Sequence, residues 1–176
     1  TSQLRRRPSS KTMTQLPPKS DQAVGVIGLG YVGLPLAIAF ARAECRTIGV
    51  DIDTRKISAL NTGVSYILDV ETADVERFTR SGALVATSDY DALRDADAIF
   101  ICVPTPYDAM RAPDLSFIRA AAEGILPRLR KGQIIVLQST TYPGTTEEIV
   151  LPILERSGLK AGVDFEICDP EHDPRF

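Results

Sequence analysis

The sequence predicts an α/β fold, a doubly wound parallel sheet with helices on both faces. Three observations carry that expectation. From residue 22 onward short apolar runs alternate with segments of helical period. Several runs, "DAIFICVP" above all, are apolar through most of their length, which a strand tolerates only when both its faces are covered. The first run enters the next segment through "GLGYVG", a glycine cluster where two rigid elements meet.

Taken in order, "AVGVIGL" is a buried strand, and 31–44 is a helix with small and aliphatic residues toward the sheet. "RTIGVD" is the second strand. A helix over 54–61 follows, with Asp53 as its N-cap and Gly63 closing it. After the less regular "VSYILDV", 71–80 is a helix ended by Gly82, "ALVATS" is a short strand and 91–94 a short helix. "DAIFICVP" is the fourth strand, 115–130 a helix and "QIIVLQS" the fifth strand. Residues 145–156 are helical with Pro143 near the start, and "DFEIC" is a last strand. No internal repeat is visible.

Length and composition bound the function. At 176 residues the chain can bury one sizeable core. A 44% hydrophobic and 24% charged composition is that of an ordinary globular protein, and no stretch approaches the ~18 apolar residues of a membrane span, so no membrane partner is expected. The net charge of −3 is unevenly spread. Residues 1–21 hold Arg5, Arg6, Arg7, Lys11 and Lys19 with Asp21 as their one acid, which leaves an acidic body and argues against a nucleic-acid surface. Pro8, Pro17 and Pro18 and the lack of an apolar face mark 1–21 as a disordered basic leader; an organelle transit peptide is the alternative, and Met13 an alternative start. Without a secretory apolar core, the expected location is cytoplasmic. Cys45, Cys102 and Cys168 form no C-x-x-C pair and read as reduced thiols. His172 is the only histidine, which excludes Ser–His and multi-His metal sites away from the extreme C-terminus; no metal site is expected.

Gly28, Gly30 and Gly33 have the spacing G-x-G-x-x-G between a strand and a helix. In that setting the first glycine permits the turn and the second lets a pyrophosphate reach backbone N–H groups. The third lets helix and strand close up, while the helix N-terminus adds partial positive charge. Leu29, Tyr31 and Val32 belong to the same loop. Asp51 ends the second strand roughly twenty residues on, where an acid accepts hydrogen bonds from an adenosine ribose and repels a 2′-phosphate. The expected cofactor is therefore NAD rather than NADP. Lys56 or Arg55 would lie near the adenosine end, with a solvated basic face as the alternative. "CVPTP" and "STTYPGTT" end two further strands on the same sheet edge. Val103, Pro104, Thr105, Ser139 and Thr140 are thereby placed to line the nicotinamide-ribose end; taken singly, each hydroxyl reads equally as a cap or turn.

"VIGLGYVGLPLA", "GVDID", "LNTGVSYI", "VPTP", "PDLSFI" and "STTYPGTTEEIVLPILE" occur in this order, and together they resemble the N-terminal NAD-binding, Rossmann-type domain of the UDP-glucose/GDP-mannose dehydrogenase family. The "SYI", "R-x-PDLS" (from Arg111) and "TTYPGTTEE" stretches are most similar to the UDP-N-acetylglucosamine and UDP-N-acetylmannosamine 6-dehydrogenase branch. The resemblance covers roughly residues 24–169. It implies oxidation of a UDP-sugar C6 alcohol to a carboxylate with two NAD⁺, in nucleotide-sugar metabolism feeding polysaccharide synthesis. In the family a cysteine from a later region captures the aldehyde, and water then releases the acid. The N-terminal domain supplies the glycine loop, the acid matching Asp51, the threonine matching Thr105, the "ST" pair matching Ser139 and Thr140, and the glutamate of an "SPE" motif. Thr140 and Glu171 are the candidate catalytic residues on this basis.

The chain also departs from the family. "CDPEHDPRF" stands where "FSPER-x-DPG" is expected, so His172 replaces an arginine, and Gln138 stands where the branch has glutamate. No "GGSCFPKD" stretch with the nucleophilic cysteine is present. The resemblance thus implies an NAD-binding domain over 22–176 without the catalytic half, inactive alone. The UDP-sugar would then be a substrate, and a homodimer an assembly, of the full-length enzyme. A stand-alone, non-catalytic NAD-binding or regulatory module is the alternative. "VPTP" and "TTYPGTTEE" disfavour a 3-hydroxyacyl or 6-phosphogluconate type of dehydrogenase.

Overall fold

Six strands make one parallel sheet: β1 (Ala23–Ile27), β2 (Arg46–Val50), β3 (Leu84–Thr87), β4 (Ala98–Ile101), β5 (Ile134–Leu137) and β6 (Glu166–Cys168), in the order β3-β2-β1-β4-β5-β6. The computed structural model describes residues 22–107 and 113–171. The basic leader, Arg111 and His172 lie outside them. β1 is central, with Ile27 in register with Val50 on one side and Ile101 on the other, and all five of its residues are buried. That explains its unbroken apolar run: a strand with neighbours on both edges and helices on both faces has no side to show to water.

Alternation along β1 divides the core into two layers. Val24 and Val26 pack with α1 (Gly33–Arg42), α2 (Thr54–Asn61) and α3 (Thr72–Ser81) through Leu34, Ala37, Ile38, Leu60, Val75 and Phe78. Ala23 and Ile27 face the other layer, formed by α4 (Ser116–Ile125), α5 (Leu151–Leu154) and a 3-10 helix over Tyr90–Asp95. A fully buried side chain such as Leu34 or Ile118 contributes about 1.5–3 kcal/mol. The doubly wound parallel sheet expected from the sequence is the one observed.

The helix ends show where local pattern gives way. Asp53 caps α2 as expected, its carboxylate accepting from Arg55 N–H, and the Arg55 guanidinium followed by that N–H pulls its pKa down to about 2. The helix expected over 115–130 stops at Ile125 and tightens into a 3-10 turn, Leu126–Arg128, because Pro127 has no N–H to continue the ladder. The helix expected over 145–156 is divided into a π-helical stretch (Thr146–Val150), the short α5 and a 3-10 turn (Glu155–Ser157). Pro152 accounts for this: it donates nothing to the Glu148 carbonyl and its ring crowds it, and wider π spacing relieves the contact. The fourth strand, expected through residue 104, ends at Ile101, before Pro104 and Pro106.

Candidate functional site

The loop after β1 is set by three glycines with different surroundings. Gly28 has φ +90°, which side chains with a Cβ rarely adopt, and a Cβ there would stand 2.6 Å from the Cys102 carbonyl oxygen. A Cβ on Gly33 would collide with the Gly28 carbonyl oxygen, so α1 can start this close to β1 only without one. Gly30 differs: a Cβ there would meet nothing within 4 Å, and the residue lines an open cleft. α1 begins without a side-chain cap, and among the described residues no group accepts from the amides of Gly30, Tyr31 and Val32. Uncapped N–H groups at a helix start beside open space suit an anion.

Asp51 ties this loop to the end of β2. It is 6% exposed; Oδ2 accepts from Leu29 N–H at 2.8 Å and from Lys56 Nζ at 3.0 Å, and Oδ1 accepts from Asp53 N–H at 2.9 Å. Of the two basic residues considered for this corner, Lys56 pairs with Asp51 and lines the cleft, whereas Arg55 is turned to solvent against Asp53.

The cleft has a volume of about 570 Å³ and opens at the carboxyl ends of β1, β2, β4 and β5, where strand order reverses about β1 and β4. Gly28, Gly30, Tyr31, Val32, Asp51, Lys56, Val103, Pro104, Thr105, Ser139 and Thr140 all line it. Leu29 and Gly33 do not: the Leu29 side chain is wholly buried beneath the loop, and Gly33 serves the helix–strand contact. Two hydroxyls on the far edge are engaged within the protein. Thr105 Oγ1 donates to the Thr140 carbonyl at 2.7 Å, joining the loops after β4 and β5. The buried Ser139 Oγ donates toward the Val103 carbonyl, 2.8 Å away. Glu171 is exposed beyond β6 and is not part of the cleft lining, so the structure does not bring it to Thr140 within that lining.

A family model, the NAD-binding domain of the UDP-glucose/GDP-mannose dehydrogenase family, matches residues 22–173. The chain belongs to this family. It is 39% identical over 146 residues to UDP-N-acetyl-D-glucosamine 6-dehydrogenase of Pseudomonas aeruginosa, covering 82% of this chain and 34% of that protein. It is 38% identical to UDP-N-acetyl-D-mannosamine dehydrogenase of Escherichia coli, with 82% and 36% covered. Among solved structures it is similar to a ternary complex of GDP-mannose dehydrogenase from Pseudomonas aeruginosa, with TM-score 0.79, 35% identity, and 83% of this chain and 35% of that one covered. The chain thus spans about a third of the length of the relatives it matches. NAD is the cofactor of the family's domain, and the open sheet edge is where a doubly wound fold of this family receives it.

In this NAD-binding domain several lining residues escape sequence reasoning. Tyr90, Phe117 and Ala120 come from the layer of α4 and enter the cleft from its side, and Ile52, 75% exposed, stands at its rim. Burial, then the Asp51 charge, raises the Tyr90 hydroxyl above the ordinary tyrosine value. Ile52 adjoins Asp51 in sequence, a signal that was there to find; Phe117 and Ala120 follow "PDLS" with nothing local to mark them. Cys102 also borders the cleft, but desolvation pushes its thiol up to about 12, far from the depressed values of reactive cysteines. Among the described residues no three metal-ligating side chains lie together, and no helix is long and apolar enough to cross a membrane.

Proposed function

We propose that the cleft holds NAD along the carboxyl edge of the sheet, the pyrophosphate at Gly28, Leu29, Gly30, Tyr31, Val32 and Gly33, the adenosine ribose at Asp51 with Lys56 beside it, and the nicotinamide end at Val103, Pro104, Thr105, Ser139 and Thr140. Support comes from one juxtaposition: open space at Gly30, amides without an acceptor among the described residues and the Asp51 carboxylate share a single cleft of dinucleotide size. The residues fit the cofactor in kind: the lining holds backbone amides without acceptors among the described residues, which suit a pyrophosphate, and the Asp51 carboxylate, which suits ribose hydroxyls. Bound there, NAD⁺ supplies the hydride acceptor for alcohol oxidation. The chain's own residues bind and orient it, and Lys56 holds the Asp51 carboxylate in place.

We further propose that this domain, residues 22–176, serves a nucleotide-sugar 6-dehydrogenase that oxidises a UDP-N-acetylhexosamine to its uronate, as a cytoplasmic source of polysaccharide precursors. The names of the relatives support that reading. Thr140 is assigned to the reacting end, where its exposed side chain borders the cleft. Glu171, outside the lining, is proposed as a catalytic residue by the match of "PE" to the family's motif. The full-length enzyme is proposed to be a homodimer. Calorimetric titration with NAD tests the cofactor assignment: binding is expected in the unmodified chain and lost in Gly30→Val, whose side chain fits the protein but occupies the cleft. A folded Gly30→Val that binds NAD unchanged refutes it.

A further inference from the structure

Leu29 sits at the centre of the glycine loop with both its backbone groups held. Its N–H donates to Asp51 Oδ2, and its carbonyl accepts from the Tyr66 hydroxyl at 2.7 Å, a contact between residues 37 apart in sequence. Its side chain is wholly buried and fills the space that a Cβ on Gly49 would take. In a trans peptide the carbonyl of one residue and the N–H of the next point in opposite directions. The hydroxyl that fixes the Leu29 carbonyl therefore also fixes the direction of the Gly30 amide. That amide has no acceptor among the described residues, and Gly30 lines the cleft.

Tyr66 itself does not line the cleft. It reaches the loop from the segment between α2 and α3, packed against the layer of α1 to α3. Desolvation first, then the charges of Asp51 and Asp53, raise its hydroxyl well above the ordinary tyrosine value, so it stays protonated and able to donate at any working pH.

We propose that Tyr66 is a positioning residue for the cofactor loop, acting through the Leu29 carbonyl to hold the Gly30 amide in the orientation that receives the pyrophosphate. The inference rests on the cleft being the NAD site and adds a residue that touches no part of the ligand. Without the hydroxyl, the Leu29–Gly30 peptide can rotate, and cofactor binding must first restore its orientation.

The test compares the full chain with Tyr66→Phe in titrations with NAD, ADP and adenosine, alongside thermal unfolding and amide NMR spectra. NAD and ADP, which both carry a pyrophosphate, are expected to lose affinity together by about three- to tenfold, the range of one neutral hydrogen bond. Adenosine affinity is expected to hold, and the Gly30 and Tyr31 amide resonances to shift. Unchanged NAD affinity in a folded Tyr66→Phe overturns the proposal, and so does a loss shared equally by adenosine, which marks general loosening. Where Tyr66→Phe fails to fold, Tyr66→His carries the same three-ligand comparison. An unmodified chain that binds no NAD refutes the cofactor assignment; NAD binding that the variant leaves untouched refutes only the role of Tyr66.

Discussion

The loop contacts of Asp51 and its proposed contact with a ribose can be tested separately. Its carboxylate accepts from the backbone of Leu29 and Asp53 and pairs with Lys56, so it holds the loop whether or not a ribose is present. Asp51→Ala leaves buried N–H groups without acceptors, at about 1–3 kcal/mol of stability. It also removes a charged acceptor for the ribose, at roughly tenfold to a hundredfold in NAD affinity. Both losses are expected, the first in a denaturant melt and the second by titration with NAD and NADP. Asp51→Asn keeps one oxygen toward Leu29 and should recover much of the stability but little of the NAD preference. If Asp51→Ala binds NAD and NADP as the native chain does, the residue is a loop anchor only. If the ribose sits at Asp51 as proposed, Lys56, 3.0 Å from Asp51 Oδ2, would offset part of the repulsion that carboxylate presents to a 2′-phosphate.

Helix ends carry the clearest local strain. α1 ends at Arg42 in a Schellman arrangement, with Glu44 N–H bonded to the Ala41 carbonyl and Cys45 N–H to the Phe40 carbonyl. The left-handed position falls on Glu44, φ 63°, the only described residue other than glycine with positive φ, and its side chain is exposed. Glu44→Gly should stabilise the chain by about 0.5–1 kcal/mol, since it removes a left-handed penalty of ~1–2 kcal/mol and returns part of it as unfolded-state entropy. A thermal melt should show a rise of a few degrees; a fall would mean the Glu44 side chain makes a contact that outweighs the strain. The elements themselves were legible because β1, β2 and β5 are largely buried on both faces and β4 is buried on one and half-buried on the other, so their apolar runs have no competing explanation. Their ends were less so. Pro127 and Pro152 announce breaks, but whether a helix stops, tightens or widens to π spacing depends on what packs around it. The glycine loop and Asp51 could be read from spacing, as could the Asp53 cap. The Tyr66 clamp could not, because it joins distant segments without a periodic pattern, and Phe117 reaches the cleft only through the packing of α4 across the sheet.

For the molecule as a whole, most of the residues proposed for the cofactor line one cleft at the carboxyl edge of the sheet, and the chain spans about a third of the length of its relatives. Among the described residues, the loops after β1, β2, β4 and β5 converge on one cleft. NAD binding is therefore expected of the chain alone. It should be weak, because the cleft opens to solvent and polar groups at the nicotinamide end stay hydrated. Oxidation of a sugar nucleotide is a different matter. Carrying an aldehyde on to an acid through a covalent route needs an activated nucleophile, and the one cysteine at the cleft, Cys102, has its thiol raised to about 12 by burial. Cys45 and Cys168 lie outside the lining. Oxidation also needs a site that fixes a sugar C6 against the nicotinamide, and without such positioning most of the proximity advantage is lost. The pure chain, given NAD⁺ with UDP-N-acetylglucosamine, UDP-N-acetylmannosamine or UDP-glucose, should produce no sustained NADH absorbance. Steady NADH production that Gly30→Val abolishes would mean that Thr140, Glu171 and the residues around them form a complete active site. A chain supplying the remaining two thirds of a relative's length, added in trans, should restore turnover if the domain is competent to donate its cofactor site; restoration that survives Gly30→Val would instead place the working NAD site on the added chain.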